Sequence, residues 1–180
     1  LFICTITTLL YYEEFEVVYQ LTNHTFFFKT YGNLEKETNF IKFRCYLESI
    51  EKIYPEEIDQ KPSKISNMAD ILLARESKPI LTRENLIFAD LLLFQLSNLF
   101  LDNEFRLWFP RTYCYDGYGW EQKEKWRKMK SRKYCQKILP LFGVSSIDQL
   151  KKLMREEKVR EEYRYSGGFE RALVISDSIN

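Results

Sequence analysis

The chain has one histidine, His24, and its four cysteines, Cys4, Cys45, Cys114 and Cys135, are scattered with no C-x-x-C pair among them. Tetrahedral zinc sites are built from closely spaced Cys and His ligands, so this pattern argues against one. A Ser-His-Asp or Cys-His arrangement would rest entirely on His24, which falls at a turn signal, Thr22-Asn23-His24, where a solvated imidazole is the default. Long hydrophobic runs are also missing: LFICTITTLL at the start is about half the roughly 20 residues that a membrane-spanning helix needs. No G-x-x-x-x-G-K-[ST], G-x-G-x-x-G, H-E-x-x-H or G-x-S-x-G pattern occurs, and Gly167-Gly168 alone is too little for a phosphate loop. Four reduced thiols in a cytoplasmic protein, with no cofactor and no membrane partner, are the expectation.

What is present is a sizeable apolar fraction. With 180 residues and 45% hydrophobic content, the chain can bury a real core, which fits one domain over residues 1–180. The best internal boundary is the polar, two-proline stretch PEEIDQKPSK near 55–64. Net charge is only +1, from 27 basic and 26 acidic residues, but it is unevenly placed. Residues 1–60 hold five Lys/Arg against ten Asp/Glu, and residues 123–137 hold eight against one. A local basic face follows from that asymmetry.

The segment Thr82–Tyr118 organises the rest. Thr82 is placed to cap a helix, Glu84 lies in its first turn, and no Pro or Gly interrupts the run before Pro110, so a helix is expected at about 83–100. Apolar residues cover most of its circumference, which makes it a central helix packed from several directions. Arg83, Asp90 and Ser97 fall at i, i+7 and i+14 and form one stripe that meets either solvent or a partner. A carboxylate at Asp90 in so apolar a helix needs compensation. The favoured reading pairs it, ionised and buried, with Arg106 or Arg111. The alternative makes it a catalytic metal ligand together with Glu84, Asp102, Glu104 or Asp116.

Elsewhere, residues 1–31 are rich in β-branched and aromatic types and read as two or three strands, with a short helix over Tyr12–Gln20 as the alternative. Asn33 to about Tyr54 has helical periodicity, and a short helix is expected from Ser66 to Arg75. FRLWF and TYCY read as an edge strand broken by Pro110. A helix from Trp120 to Leu141 has Trp126, Met129, Tyr134, Ile138 and Leu141 inward and the basic residues outward, and Gly143 closes it. Ser145 with Asp148 then forms a capping-box-like start for a last helix. The fold class is α+β, predominantly helical, with a small N-terminal hairpin and four or five helices around the central one.

Two functions of different class follow. The first is a binding or assembly module of an intracellular protein, with a protein partner or self-association, that contacts nucleic acid through the basic helix 123–137 (Lys125, Arg127, Lys128, Lys130, Arg132, Lys133) and the aromatic segment 105–120 (Arg106, Trp108, Arg111, Tyr113). The second is a metal-dependent hydrolase or nuclease using Asp90 and a neighbouring carboxylate.

Overall fold

The computed structural model describes residues 1–29, 35–44, 67–101, 108–112, 115, 125 and 127–155. Six α-helices and one two-stranded antiparallel sheet make up the architecture of these residues, an α+β fold that is mostly α. In chain order they are α1 (Phe2–Tyr11), α2 (Phe15–Asn23), β1 (Phe26–Lys29), β2 (Glu35–Thr38), α3 (Asn67–Leu73), α4 (Arg83–Phe100), α5 (Arg132–Ile138) and α6 (Ile147–Arg155). Expectations about 45–66, 102–107, 116–124 and 156–180 lie outside the described residues.

Helix α4 is the axis. The Thr82 hydroxyl accepts from the Asn85 amide at 3.2 Å, which caps its first turn. Twelve of its 18 residues are buried, so it has no solvent-facing stripe along most of its length. One side joins Ala89, Leu92, Leu93 and Leu96 to the larger core with Ile6, Phe15, Val18, Phe40, Ile138 and Leu141. The other joins Leu86, Ile87 and Leu91 to Leu73 of α3.

The N-terminal region differs from the expected strands. Residues 2–11 and 15–23 are helices, and only 26–29 is extended. Thr5, Thr7 and Thr8 each donate their hydroxyl to the carbonyl four residues back, at 3.3, 2.8 and 2.9 Å, so the polar groups of this β-branched run are satisfied inside a helix. Burial decides the outcome: Ile6 is fully enclosed, and Phe2, Ile3, Leu9 and Leu10 pack on the same core, a helical spacing that overrides strand propensity. Glu13 turns α1 into α2 at φ 60°, with the Glu14 amide bonded to the Leu9 carbonyl at 2.9 Å. The alternative short helix over Tyr12–Gln20 overlaps α2, displaced toward the C-terminus.

The Asn33–Tyr54 helix is corrected in its described part. Residues 35–38 pair with β1, Phe26 opposite Thr38 and Phe28 opposite Lys36, and 40–44 form a 3-10 turn. Phe26 and Phe28 both pack on Phe43, with ring centroids 4.9 and 5.5 Å apart, so the hairpin has one aromatic face. The packing of the β1 phenylalanines on Phe43 of the 3-10 turn outcompetes the periodicity that Asn33–Tyr54 shares with a helix.

The Trp120–Leu141 helix is likewise broken in its described part. A 3-10 turn at 128–130 leads to Ser131, which is extended (ψ 117°), and α5 starts after it. Ser131 sits where a serine prefers a helix start to an interior, and Pro140, which lacks an N–H, stands just past the end of α5. The sequence Leu139–Phe142 ends at Gly143 in the left-handed region, φ 60°, as expected of a closing glycine. The cap of α6 is shifted by one residue from expectation. Ser146, not Ser145, accepts from the Gln149 amide at 3.1 Å, and Gln149 rather than Asp148 reaches back, to the Ser145 amide at 2.8 Å.

Leu92→Ala or Phe94→Ala removes a side chain that is 1% or 8% exposed, and each is expected to cost about 2–5 kcal/mol in chemical denaturation, since transfer and cavity terms add. A Cβ at Gly143 would meet the far end of the Tyr19 side chain besides adopting positive φ. Gly143→Ala is therefore expected to lower stability by about 1–2 kcal/mol from the backbone conformation, read as a fall in Tm.

Candidate functional site

The stripe Arg83–Asp90–Ser97 meets a partner within the chain, the segment 108–115. Trp108 donates its indole N–H to Asp90 Oδ1 at 2.8 Å, and Thr112 donates both its amide (2.9 Å) and its hydroxyl (2.8 Å) to Oδ2. One heptad on, Ser97 Oγ accepts from the Trp108 amide at 3.1 Å and donates to the Phe94 carbonyl at 2.7 Å. One heptad back, the Arg83 guanidinium stands 4.9 Å from the centre of the Tyr115 ring, whose hydroxyl donates to Asp70. Three residues on one face of α4 thus hold the returning chain at three levels.

The Asp90 carboxylate is 0% exposed and, among the described residues, is met by an indole, an amide and a hydroxyl, all neutral donors. Arg106 lies outside the described residues, and the Arg111 side chain lies over the Phe109 ring at 5.1 Å. Burial pushes the Asp90 pKa up, and the bonds from Thr112 and Trp108 oppose that push without overcoming it. Trp108, expected on a ligand surface, is 2% exposed and belongs to the core. Tyr113 lies outside the described residues.

Asp90 is accordingly an internal anchor. Glu84, six residues earlier on α4 and roughly 9 Å along its axis, is exposed at the helix start. Asp102, Glu104 and Asp116 lie outside the described residues, and among the described ones no three His, Cys, Asp or Glu side chains are grouped to hold a metal ion.

The basic segment divides into two sets. Arg127, Lys130, Arg132 and Lys133 are exposed, and the segment is anchored beneath them by Met129 and Cys135, each 1% exposed. Lys125 and Lys128, the latter also exposed, border a cleft of about 130 Å³ between α1, the start of α4 and α5. Leu10, Phe15, Phe88, Ile138 and Leu141 supply its apolar lining, and Thr7, Tyr11, Glu13, Asn85 and Tyr134 its polar atoms. Asn85 is oriented by donating its amide to the Ile80 carbonyl at 2.8 Å, which leaves its oxygen to accept from Lys125. The Lys125 ammonium also lies 5.7 Å from the Phe88 ring centre, and that of Lys128 lies 5.9 Å from Tyr134's.

Burial, then the Lys128 cation, hold the Lys125 pKa below the usual lysine range, and Glu84 acts the other way. Tyr134 is pushed up to about 12, first by burial and then by Glu13, so its phenol remains a proton donor at neutral pH. Glu13 pairs with Lys137. The cleft is a half-enclosed hollow that carries two lysines, one carboxylate, Glu13, engaged by Lys137, and the neutral hydrogen-bonding groups of Thr7, Tyr11, Asn85 and Tyr134. The contributions of Thr7, Tyr11 and Glu13 had no counterpart in sequence reasoning that took residues 1–31 as strands; the i, i+4 spacing of Thr7 and Tyr11 was the available signal.

Among the described residues no helix is long and apolar enough to cross a membrane. No family model, curated protein or solved structure matches this chain.

Because burial raises the folded-state pKa of Asp90, its protonation favours the folded state; that contribution is complete below the ordinary carboxylate value of 3.8 and is lost as pH rises through the folded value. Asp90→Asn, uncharged throughout, turns an N–H toward either Trp108 or Thr112. Its penalty relative to the parent is expected to be largest near pH 4 and to shrink as pH rises, checked by urea denaturation across that range. Thr112→Val, which removes one donor while the amide remains, is expected to cost about 1–3 kcal/mol near neutrality and less in acid.

Proposed function

We propose that this protein is a binding module that takes nucleic acid along the basic segment 125–133. The observation that carries the reading is the presentation of Arg127, Lys128, Lys130, Arg132 and Lys133, all exposed, on a segment tied to the core by Met129 and Cys135. Cations held on an anchored backbone give up less freedom when they meet phosphates than cations on an unanchored tail. The aromatic segment supports a smaller role than its composition implied. Trp108 is enclosed, and among the described residues of that segment Phe109, with Arg111 over its ring, is the exposed aromatic. The Cys4 and Cys135 thiols are free, in keeping with a cytoplasmic setting.

Fluorescence anisotropy with a mixed-sequence single-stranded oligonucleotide tests this reading. Affinity is expected to fall steeply with added salt, and neutralising two of the exposed cations, Lys130→Gln with Lys133→Gln, to flatten the slope of log K against log salt by about 1.4 units. Undetectable binding at low salt would remove the nucleic-acid reading and turn attention to assembly through exposed apolar groups such as Phe27, which is 66% exposed.

A further inference from the structure

We propose that the cleft between α1, α4 and α5 receives a terminal phosphate of a nucleic-acid strand, with Lys125 and Lys128 on the phosphate and Tyr11 beneath the adjoining base. This rests on the nucleic-acid reading and adds a defined end to it. At about 130 Å³ the cleft holds the equivalent of roughly four waters and is smaller than the ~300–1,000 Å³ of sites for drug-sized ligands. A phosphate group fits such a space and a whole nucleoside does not.

An internal phosphodiester carries chain on both sides and cannot enter end-on, whereas a monoester can. A monoester also carries about −1.5 to −2 charges near neutrality, which matches two ammonium groups better than the single charge of a diester. The Lys125 pKa is held down first by burial and then by the Lys128 cation, and an anion bound beside the two lysines relieves that repulsion. The anionic groups nearby are engaged, Glu13 with Lys137 and Glu84 acting on Lys125 from the first turn of α4. Asn85 holds the Lys125 ammonium at the floor of the site, and the Tyr134 phenol adds a neutral donor.

The mouth carries the second half of the recognition. Tyr11 lines the cleft and is 43% exposed, and Tyr12 beside it is 60% exposed, their rings edge-to-face with centroids 5.2 Å apart. A base next to the terminal phosphate can stack on Tyr11 without regard to sequence. The remaining phosphates then meet the exposed cations from Arg127 onward, so one strand spans both sets of basic residues.

The test measures the 180-residue chain against one oligonucleotide sequence in three forms: 5′-phosphorylated, 3′-phosphorylated and hydroxyl at both ends. One phosphorylated form is expected to bind about tenfold or more tighter than the hydroxyl form, the range for charge-assisted hydrogen bonds to one group. Lys128→Gln, at an exposed position, and Lys125→Met should each abolish that difference, with circular dichroism checking the fold. Equal affinity for all three forms overturns the end-binding inference and leaves the nucleic-acid reading standing. No binding of any form overturns both. A difference that persists in both lysine variants overturns the assignment to this cleft. A free nucleoside monophosphate offers the same chemistry without a strand; if it binds as tightly as the phosphorylated oligonucleotide, the strand-end assignment is wrong.

Discussion

The Asp90 carboxylate accepts from Trp108 and Thr112 at the centre of the molecule, and the arrangement of the remaining elements follows from that pair of contacts. A fully buried carboxylate is costly unless its oxygens are met, and here the donors come from a segment that has no regular secondary structure of its own to hold it in place. Satisfying Asp90 therefore also fixes the path of residues 108–112. Once Trp108 is fixed, its ring supports a run of aromatic contacts: Phe40 stacks on it with centroids 5.9 Å apart, Phe2 stands 6.1 Å away, and Phe43 stacks on Phe2 at 4.6 Å. The hairpin rests on Phe43, so the polar contact inside α4 reaches the small sheet through four rings.

How far the sequence disclosed this depended on whether local and global signals agreed. Over 83–100 they did: a capping threonine, an uninterrupted apolar run and no competing periodicity, so the helix, its ends and its central place were all legible. The heptad spacing of Arg83, Asp90 and Ser97 also proved informative, since all three touch residues 108–115. The neutral donors on Asp90 were not legible, because an indole, an amide and a hydroxyl reach its two oxygens only when the backbone of 108–112 is brought close, and that approach is a tertiary fact.

At the N-terminus local propensity and packing disagreed. Five β-branched residues among Ile3–Thr8 favour strands when taken alone. The apolar spacing of Phe2, Ile6, Leu9 and Leu10 favours a helix, and with Ile6 fully enclosed the packing term decides. That reversal matters for the candidate site, because Thr7, Leu10 and Tyr11 come to one wall of the cleft only on a helix. The basic residues were visible from composition, but the break at Ser131 and the 3-10 turn before it, which set Lys128 at the cleft, were not. Charge density along the chain cannot reveal such a break.

The most direct test of the Asp90 anchor is hydrogen exchange of the tryptophan indole N–H groups by NMR, with Trp108 assigned among the three tryptophans by loss of its signal in Trp108→Phe. If Asp90 holds Trp108 as described, that indole proton exchanges only through global unfolding, at a rate that follows overall stability as urea is added. Exchange of the Trp108 indole at the rate of an exposed tryptophan under native conditions would contradict the account.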